Sequence, residues 1–127
     1  MKSRLIYFSL LVFLVGLPIE SIAMNVKSII KQGESETVEF KQSFDKEAVI
    51  AIGAFANKSG GTVLIGVDDK GKAKGVDIGK ETLQNWVNQI AQATEPKLFP
   101  QINEHRIVGK TLVTIQISGT PENCLMM

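Results

Sequence analysis

The chain has 127 residues, enough for one domain, with 44% hydrophobic and 21% charged residues and a formal net charge of +1. That balance supports a buried core and argues against disorder. The single cysteine, Cys124, and single histidine, His105, exclude a disulfide framework, a cysteine-based zinc site and any multi-histidine mechanism. Carboxylates are the metal ligands in supply, and they suit hard ions such as Mg²⁺ or Mn²⁺.

Residues 1–23 stand apart from the rest. Lys2 and Arg4 precede an apolar run of 15 residues, Leu5 to Ile19, and Ser21-Ile22-Ala23 supplies the small residues of a cleavage point. The run is shorter than the roughly 20 residues of a spanning helix, so stable membrane anchoring is not expected. Met24 follows directly. Two expectations result: a signal segment, giving a secreted or periplasmic protein, or translation that starts at Met24, giving a cytoplasmic one. From Met24 onward 12 basic and 12 acidic residues remain, because Lys2, Arg4 and Glu20 fall upstream. The overall charge therefore carries no strong basic footprint for nucleic acid.

Asn25 to Gln32 reads as a short amphipathic helix with Val26, Ile29 and Ile30 on one side, broken by Gly33. Thr37 to Lys41 alternates and is rich in β-formers, which predicts a strand. Asp45 is placed to cap a helix over residues 46–58, whose apolar positions Ala48, Val49, Ile52, Phe55 and Ala56 fall three and four apart. Ser59-Gly60-Gly61 stops it. Thr62 to Val67 is a continuous apolar run, the pattern of a buried central strand. Asp68 to Lys72 reads as a turn with glycine at the positive-φ position, and Lys74-Gly75-Val76 as a short return strand. A second helix is predicted over residues 80–93, with Leu83, Trp86, Val87, Ile90 and Ala91 on one stripe. Pro96 and Pro100 bracket a loop. Strands over residues 102–108 and 111–118 follow, joined at Gly109-Lys110 as a hairpin. The expected class is α+β, a mixed or antiparallel sheet with two helices packed on one face.

Three stretches could carry chemistry. In Gly33 to Lys41, three carboxylates and a lysine crowd together, and Glu39 and Lys41 share a strand face because side chains alternate. Glu34 could fold back to the same edge, so Glu34 and Glu39 are candidate ligands for Mg²⁺ or Mn²⁺, with Lys41 near a phosphate. The bland alternative is a solvated edge strand whose charges deter aggregation. Asn57 to Thr62 offers paired glycines, but they follow a helix and lead into a strand, the reverse of a Walker loop. A helix C-terminus also repels phosphate. ATP binding there lacks support, and helix capping is the plainer reading. Gly66 to Lys74 sets Asp68 and Asp69 at a strand end and Lys70, Lys72 and Lys74 beyond it, a tip that could rest on a phosphate backbone or simply form a turn. His105 reads as surface and Trp86 as core.

Taken together, Glu34 to Lys41, Ala54-Phe55-Ala56-Asn57, Gly60-Gly61-Thr62, Leu64 to Asp69 and Lys74-Gly75-Val76 resemble the Schlafen AlbA-type domain, formerly named a divergent AAA domain. The resemblance spans residues 30–121. It implies an Alba-like α+β core and a DNA- or RNA-binding role. In bacteria such domains often begin transcriptional-regulator-like or helicase-related proteins. In animal Schlafen proteins a related core cuts RNA with two glutamates, an aspartate and a divalent ion. On that likeness Glu34 and Glu39 match the glutamates, and Asp68 or Asp69 the aspartate, as catalytic and metal-binding candidates. Lys41, Lys70, Lys72 and Lys74 are the candidate nucleic-acid contacts, in a domain that could pair as a homodimer. The expected layout is a leader-like segment 1–23, the domain 24–121, and a tail 122–127 with neither strand alternation nor a helix stripe, as in a truncated gene. The functions in view are nucleic-acid binding, metal-dependent nuclease action, and a non-functional remnant.

Overall fold

The computed structural model describes residues 25–119 and 125–126. The leader-like segment, the choice of start at Met24, and Cys124 lie outside the described residues. Helix α1, Val26–Gln32, is capped by the Asn25 side chain, which accepts from the Ser28 amide at 3.2 Å, and ends at Gly33 with φ 83°. Strand β1, Val38–Lys41, follows. Helix α2, Lys46–Ala56, starts as the sequence predicts: the Asp45 carboxylate accepts from the Ala48 amide at 3.0 Å. Strand β2, Gly60–Ile65, helix α3, Thr82–Ala93, and a two-residue strand β3, Thr94–Glu95, come next. Strands β4, Gln101–Ile107, β5, Lys110–Ser118, and β6, Leu125–Met126, complete the order.

The main sheet runs β1-β2-β5-β4. Strands β1 and β2 are parallel, with Phe40 beside Leu64, and α2 is the crossover that parallel pairing requires. The other pairs are antiparallel, so the sheet is mixed. Alternation along the strands sends side chains into two cores. On one face Val63, Ile65, Val113 and Ile115 pack with Ala48, Ile52 and Ala56 of α2 and Ile90 of α3. On the other, Phe40, Leu64, Val67 and Leu112 pack with Val26 of α1. Each fully buried Ile, Leu or Val contributes about 1.5–3 kcal/mol. The larger core carries the fold, with two helices on one face of the sheet as the sequence implies; α1 covers part of the opposite face. The buried Thr94 hydroxyl donates to the Ile90 carbonyl at 2.8 Å and accepts from the Leu98 amide at 3.0 Å, closing the end of α3.

Beyond small shifts of element ends and the short strand β3, four details differ from the sequence reading. Lys74-Gly75-Val76 is not a strand: the return is a single bridge between Val67 and Ala73. The Lys74 and Gly75 amides both donate to the Gly66 carbonyl, at 2.7 and 2.9 Å, which curls the chain away from the sheet. Helix α3 starts at Thr82, two residues later than expected. The β4–β5 turn is Val108-Gly109, one residue earlier than Gly109-Lys110, because Ile107 pairs with Lys110. The tail is not without strand structure: β6 pairs antiparallel with β3, Leu125 beside Glu95.

Candidate nucleic-acid interface

Strand β1 lies at an edge of the sheet, and its acidic residues divide between two jobs. The Thr37 and Lys41 carbonyls are taken by β2-side amides, so the amide of Phe40 points the other way, to the open edge. Glu34 meets it there: its Oε1 accepts from the Phe40 amide at 2.9 Å. Ser35 and Val38 exchange backbone hydrogen bonds beside it, at 3.0 and 3.4 Å. Glu34 thus fastens the turn that precedes β1. Glu39 and Lys41 share a face, as alternation requires, with Lys41 Nζ 3.8 Å from Glu39 and 3.6 Å from Glu47 of α2.

The Asp68 carboxylate is also engaged with backbone. Its Oδ1 accepts from the Lys70 amide at 3.0 Å and the Lys72 amide at 2.9 Å, which builds the tip of the hairpin. The Lys72 amide above all holds its carboxyl below the usual carboxylate range; desolvation opposes it, and the Lys70 amide and the Lys74 and Lys70 ammonium groups add to the lowering. A shallow depression joins Lys41, Asp45 and Glu47 to Asp68, Asp69 and Lys70. Its four carboxylates outnumber its two lysines, so it does not favour phosphate.

Among the described residues no three His, Cys, Asp or Glu side chains converge where they could hold a metal ion. Glu34 is turned to the edge of β1, Glu39 to Lys41, and Asp68 to the hairpin amides. The donor set for Mg²⁺ or Mn²⁺ expected from the sequence is not gathered in this arrangement, and no catalytic step through a metal follows from it.

A second depression has the opposite character. It is lined by Gln42, Ser43 and Phe44 from the loop after β1, by Lys74 to Asp77, by Trp86 of α3, and by Arg106 and Gly109 to Thr111 at the β4–β5 turn. Three basic residues, Lys74, Arg106 and Lys110, and one acidic residue, Asp77, are among its lining. Arg106 pairs with Thr111 in the β4–β5 ladder, so it projects on the α2–α3 side of the sheet, with Val113 and Ile115 two and four residues further along that face. Lys110 Nζ donates to the Ala73 carbonyl at 2.9 Å, and the Val76 amide donates to the Thr111 carbonyl at 2.9 Å. These bonds fix the basic groove to the sheet. Phe44 and Trp86 stack within it, ring centroids 4.5 Å apart and planes inclined by 15°. Gln42 and Ser43 belong to both depressions and connect them.

The family model described as Schlafen, AlbA_2 matches residues 34–125. The chain belongs to this family. A comparison with curated proteins finds no match. Solved structures similar to this Schlafen AlbA_2 domain include two of note. The DIP2311 protein of Corynebacterium diphtheriae aligns with a TM-score of 0.64 at 16% identity, over 84% of this chain and 24% of that one, a likeness of fold alone. The N-terminal domain of a protein related to the ATP-dependent DNA helicase RecG, from Nitrosomonas europaea, aligns with a TM-score of 0.58 at 27% identity, over 68% of this chain and 65% of that one. The chain thus spans about a quarter of the first relative and somewhat under two-thirds of the second.

The paired glycines of the Schlafen AlbA_2 domain serve packing. Gly60 has φ 96°, and a methyl group there would meet the Ile117 carbonyl of β5. A methyl group on Gly61 would lie 2.5 Å from the Phe55 ring of α2. The pair lets β2 start close against both elements. Of the lysines singled out from sequence, Lys74 lies in the basic groove, Lys41 and Lys70 lie in the acidic depression, and Lys72 lines neither. Sequence reasoning missed Arg106 and Lys110. For Arg106 the signal was the strand register: Ile102 faces the core beside Ile115, and Arg106, four residues on, must share that face, whereas Lys110, paired with Ile107, starts from the α1 side of the sheet. His105, expected at the surface, is half-buried on the α1 side, its Nε2 2.8 Å from Thr114 Oγ1, and burial lowers its pKa. Trp86, expected in the core, is only partly buried and lines the groove. Among the described residues no helix is long and apolar enough to cross a membrane.

Proposed function

We propose that the domain binds nucleic acid through the basic groove, with Lys74, Arg106 and Lys110 taking backbone phosphates. The observation that carries this reading is the local charge: three basic residues against one acidic residue in the groove lining, in a segment whose basic and acidic residues balance as a whole. A local patch sets the field felt by a phosphate within a Debye length of about 10 Å, so zero net charge does not oppose it. Arg106 offers a planar fork suited to two phosphate oxygens, while the lysines act as point charges. The family and the RecG-related neighbour support a nucleic-acid role, and a place in a DNA-associated or transcriptional-regulator-like protein fits the same surface. Lys70 and Lys72 on the hairpin tip, with Lys41, extend the contact past Gln42 and Ser43. Their neighbouring carboxylates make them the weaker half.

Salt dependence of binding to a labelled oligonucleotide tests the proposal. Three phosphate contacts give a slope of log K against log salt of about −2 to −3. Lys74→Gln, Arg106→Gln and Lys110→Gln should each flatten it by nearly one unit, while Lys58→Gln, outside the groove, should not. A slope near zero, or equal effects from all four changes, would refute it.

A further inference from the structure

We infer that the Phe44–Trp86 pair is a stacking platform for an unpaired base, so that the groove takes single-stranded nucleic acid in preference to duplex. This rests on the phosphate-binding reading above and adds the class of ligand. Helix α3 carries one apolar stripe, but its burial is uneven. Ile90 and Ala91 in the second half are buried, whereas Leu83, Trp86 and Val87 are only partly so. The stripe runs off the sheet where the groove begins. Phe44, from the loop after β1, is likewise half-buried, and the two rings stack on each other. Both rings line the groove beside Lys74, Arg106 and Lys110. Both rings are anchored against the larger core, and the aromatic area they leave exposed beside basic residues is the kind of surface a ligand covers.

A nucleotide offers both complements at once, a flat π-face and a phosphate. In a duplex the π-faces are occupied by neighbouring bases, so a duplex presents this groove with phosphates only. An unpaired strand presents both. Stacking on an aromatic side chain tolerates any base, which fits a site with few side chains placed to read base edges. The nearby Gln42, Ser43 and Asp77 side chains are too few to specify a sequence.

The chain contains one tryptophan, so its fluorescence reports on the platform directly. The intact protein is titrated with a single strand of about 12 nucleotides, its duplex, and the same strand carrying abasic sites. Trp86 emission and the anisotropy of the labelled strand are read together. The expected result is quenching by the single strand, and affinity for it at least about fivefold above that for the duplex or abasic strand. Trp86→Leu should bring single-strand affinity down to the duplex level. If that variant does not fold, the abasic comparison decides alone. Salt-dependent binding with equal affinity for all three ligands and unchanged emission would overturn the stacking inference and leave the phosphate reading intact. No salt-dependent binding to any of them would overturn both.

Discussion

Glu34 offers the sharpest test of how the acidic residues are used. A catalytic carboxylate is often dispensable for folding, and its removal can even stabilise. Here Glu34 holds the Phe40 amide at 2.9 Å on the open edge of β1. A hydrogen bond to a charged acceptor contributes about 1.5–3 kcal/mol when buried. This one is part-buried, and water can reach an orphaned edge amide, so Glu34→Ala should cost about 1–1.5 kcal/mol, at or just below the low end of that range. For a domain this size that lowers Tm by about 4–8 °C. Glu34→Gln keeps an acceptor oxygen in reach and should recover at least about half of the loss. Urea and thermal unfolding followed by circular dichroism measure both variants. Hydrogen exchange at the Phe40 amide should accelerate in Glu34→Ala alone. If Glu34→Ala leaves stability unchanged while abolishing a metal-stimulated activity, the assignment of Glu34 to the backbone is wrong.

Three further expectations follow from other positions. Val108 has φ 49° in an exposed two-residue turn before Gly109 at φ 75°, a conformation that costs a β-branched residue about 1–2 kcal/mol and that Asn-Gly prefers. Val108→Asn should therefore raise stability by about 1 kcal/mol, and a lower melting temperature would contradict the turn geometry. Asp68 has a folded pKa held below its ordinary value, so its stabilisation is present above the unfolded carboxylate pKa of about 3.9 and is lost as pH falls through the folded value. Asp68→Asn should lack that part of the acid dependence, and an NMR titration of Asp68 with an unshifted midpoint would refute it. Gly60→Ala forces a methyl group against the Ile117 carbonyl at φ 96° and should destabilise the ligand-free domain by roughly 3 kcal/mol. A variant that folds normally but loses only a ligand would return the glycine pair to a binding role.

The parts of the fold that rest on local signals were legible in the sequence. Asp45 before an alanine-rich stripe marks the start of α2, and the apolar run through Leu64 and Ile65 marks the central strand, because capping and burial periodicity act within a few residues. The shift of the β4–β5 turn to Val108-Gly109 was not legible, since a valine at positive φ contradicts its own preference and is held by pairing from Ile107 to Lys110. Strand β6 was missed for a related reason: two residues have no periodicity, and only their partner β3 defines them. At the site, the shared face of Glu39 and Lys41 followed from alternation, whereas the capture of Glu34 by the Phe40 amide depends on which edge of the sheet β1 occupies. The basic groove joins residues 44, 74, 86, 106 and 110, far apart in sequence. Its existence is a property of the β4–β5 register and the curl at Gly66, not of any contiguous motif.

The two rims of the sheet are finished differently. Along β1 the outward Val38 groups and the Phe40 amide are already occupied by Ser35 and Glu34, while among the described residues no strand pairs with the outer side of β4. Edge pairing through β1 is thereby opposed, and β4 is the side left open to it.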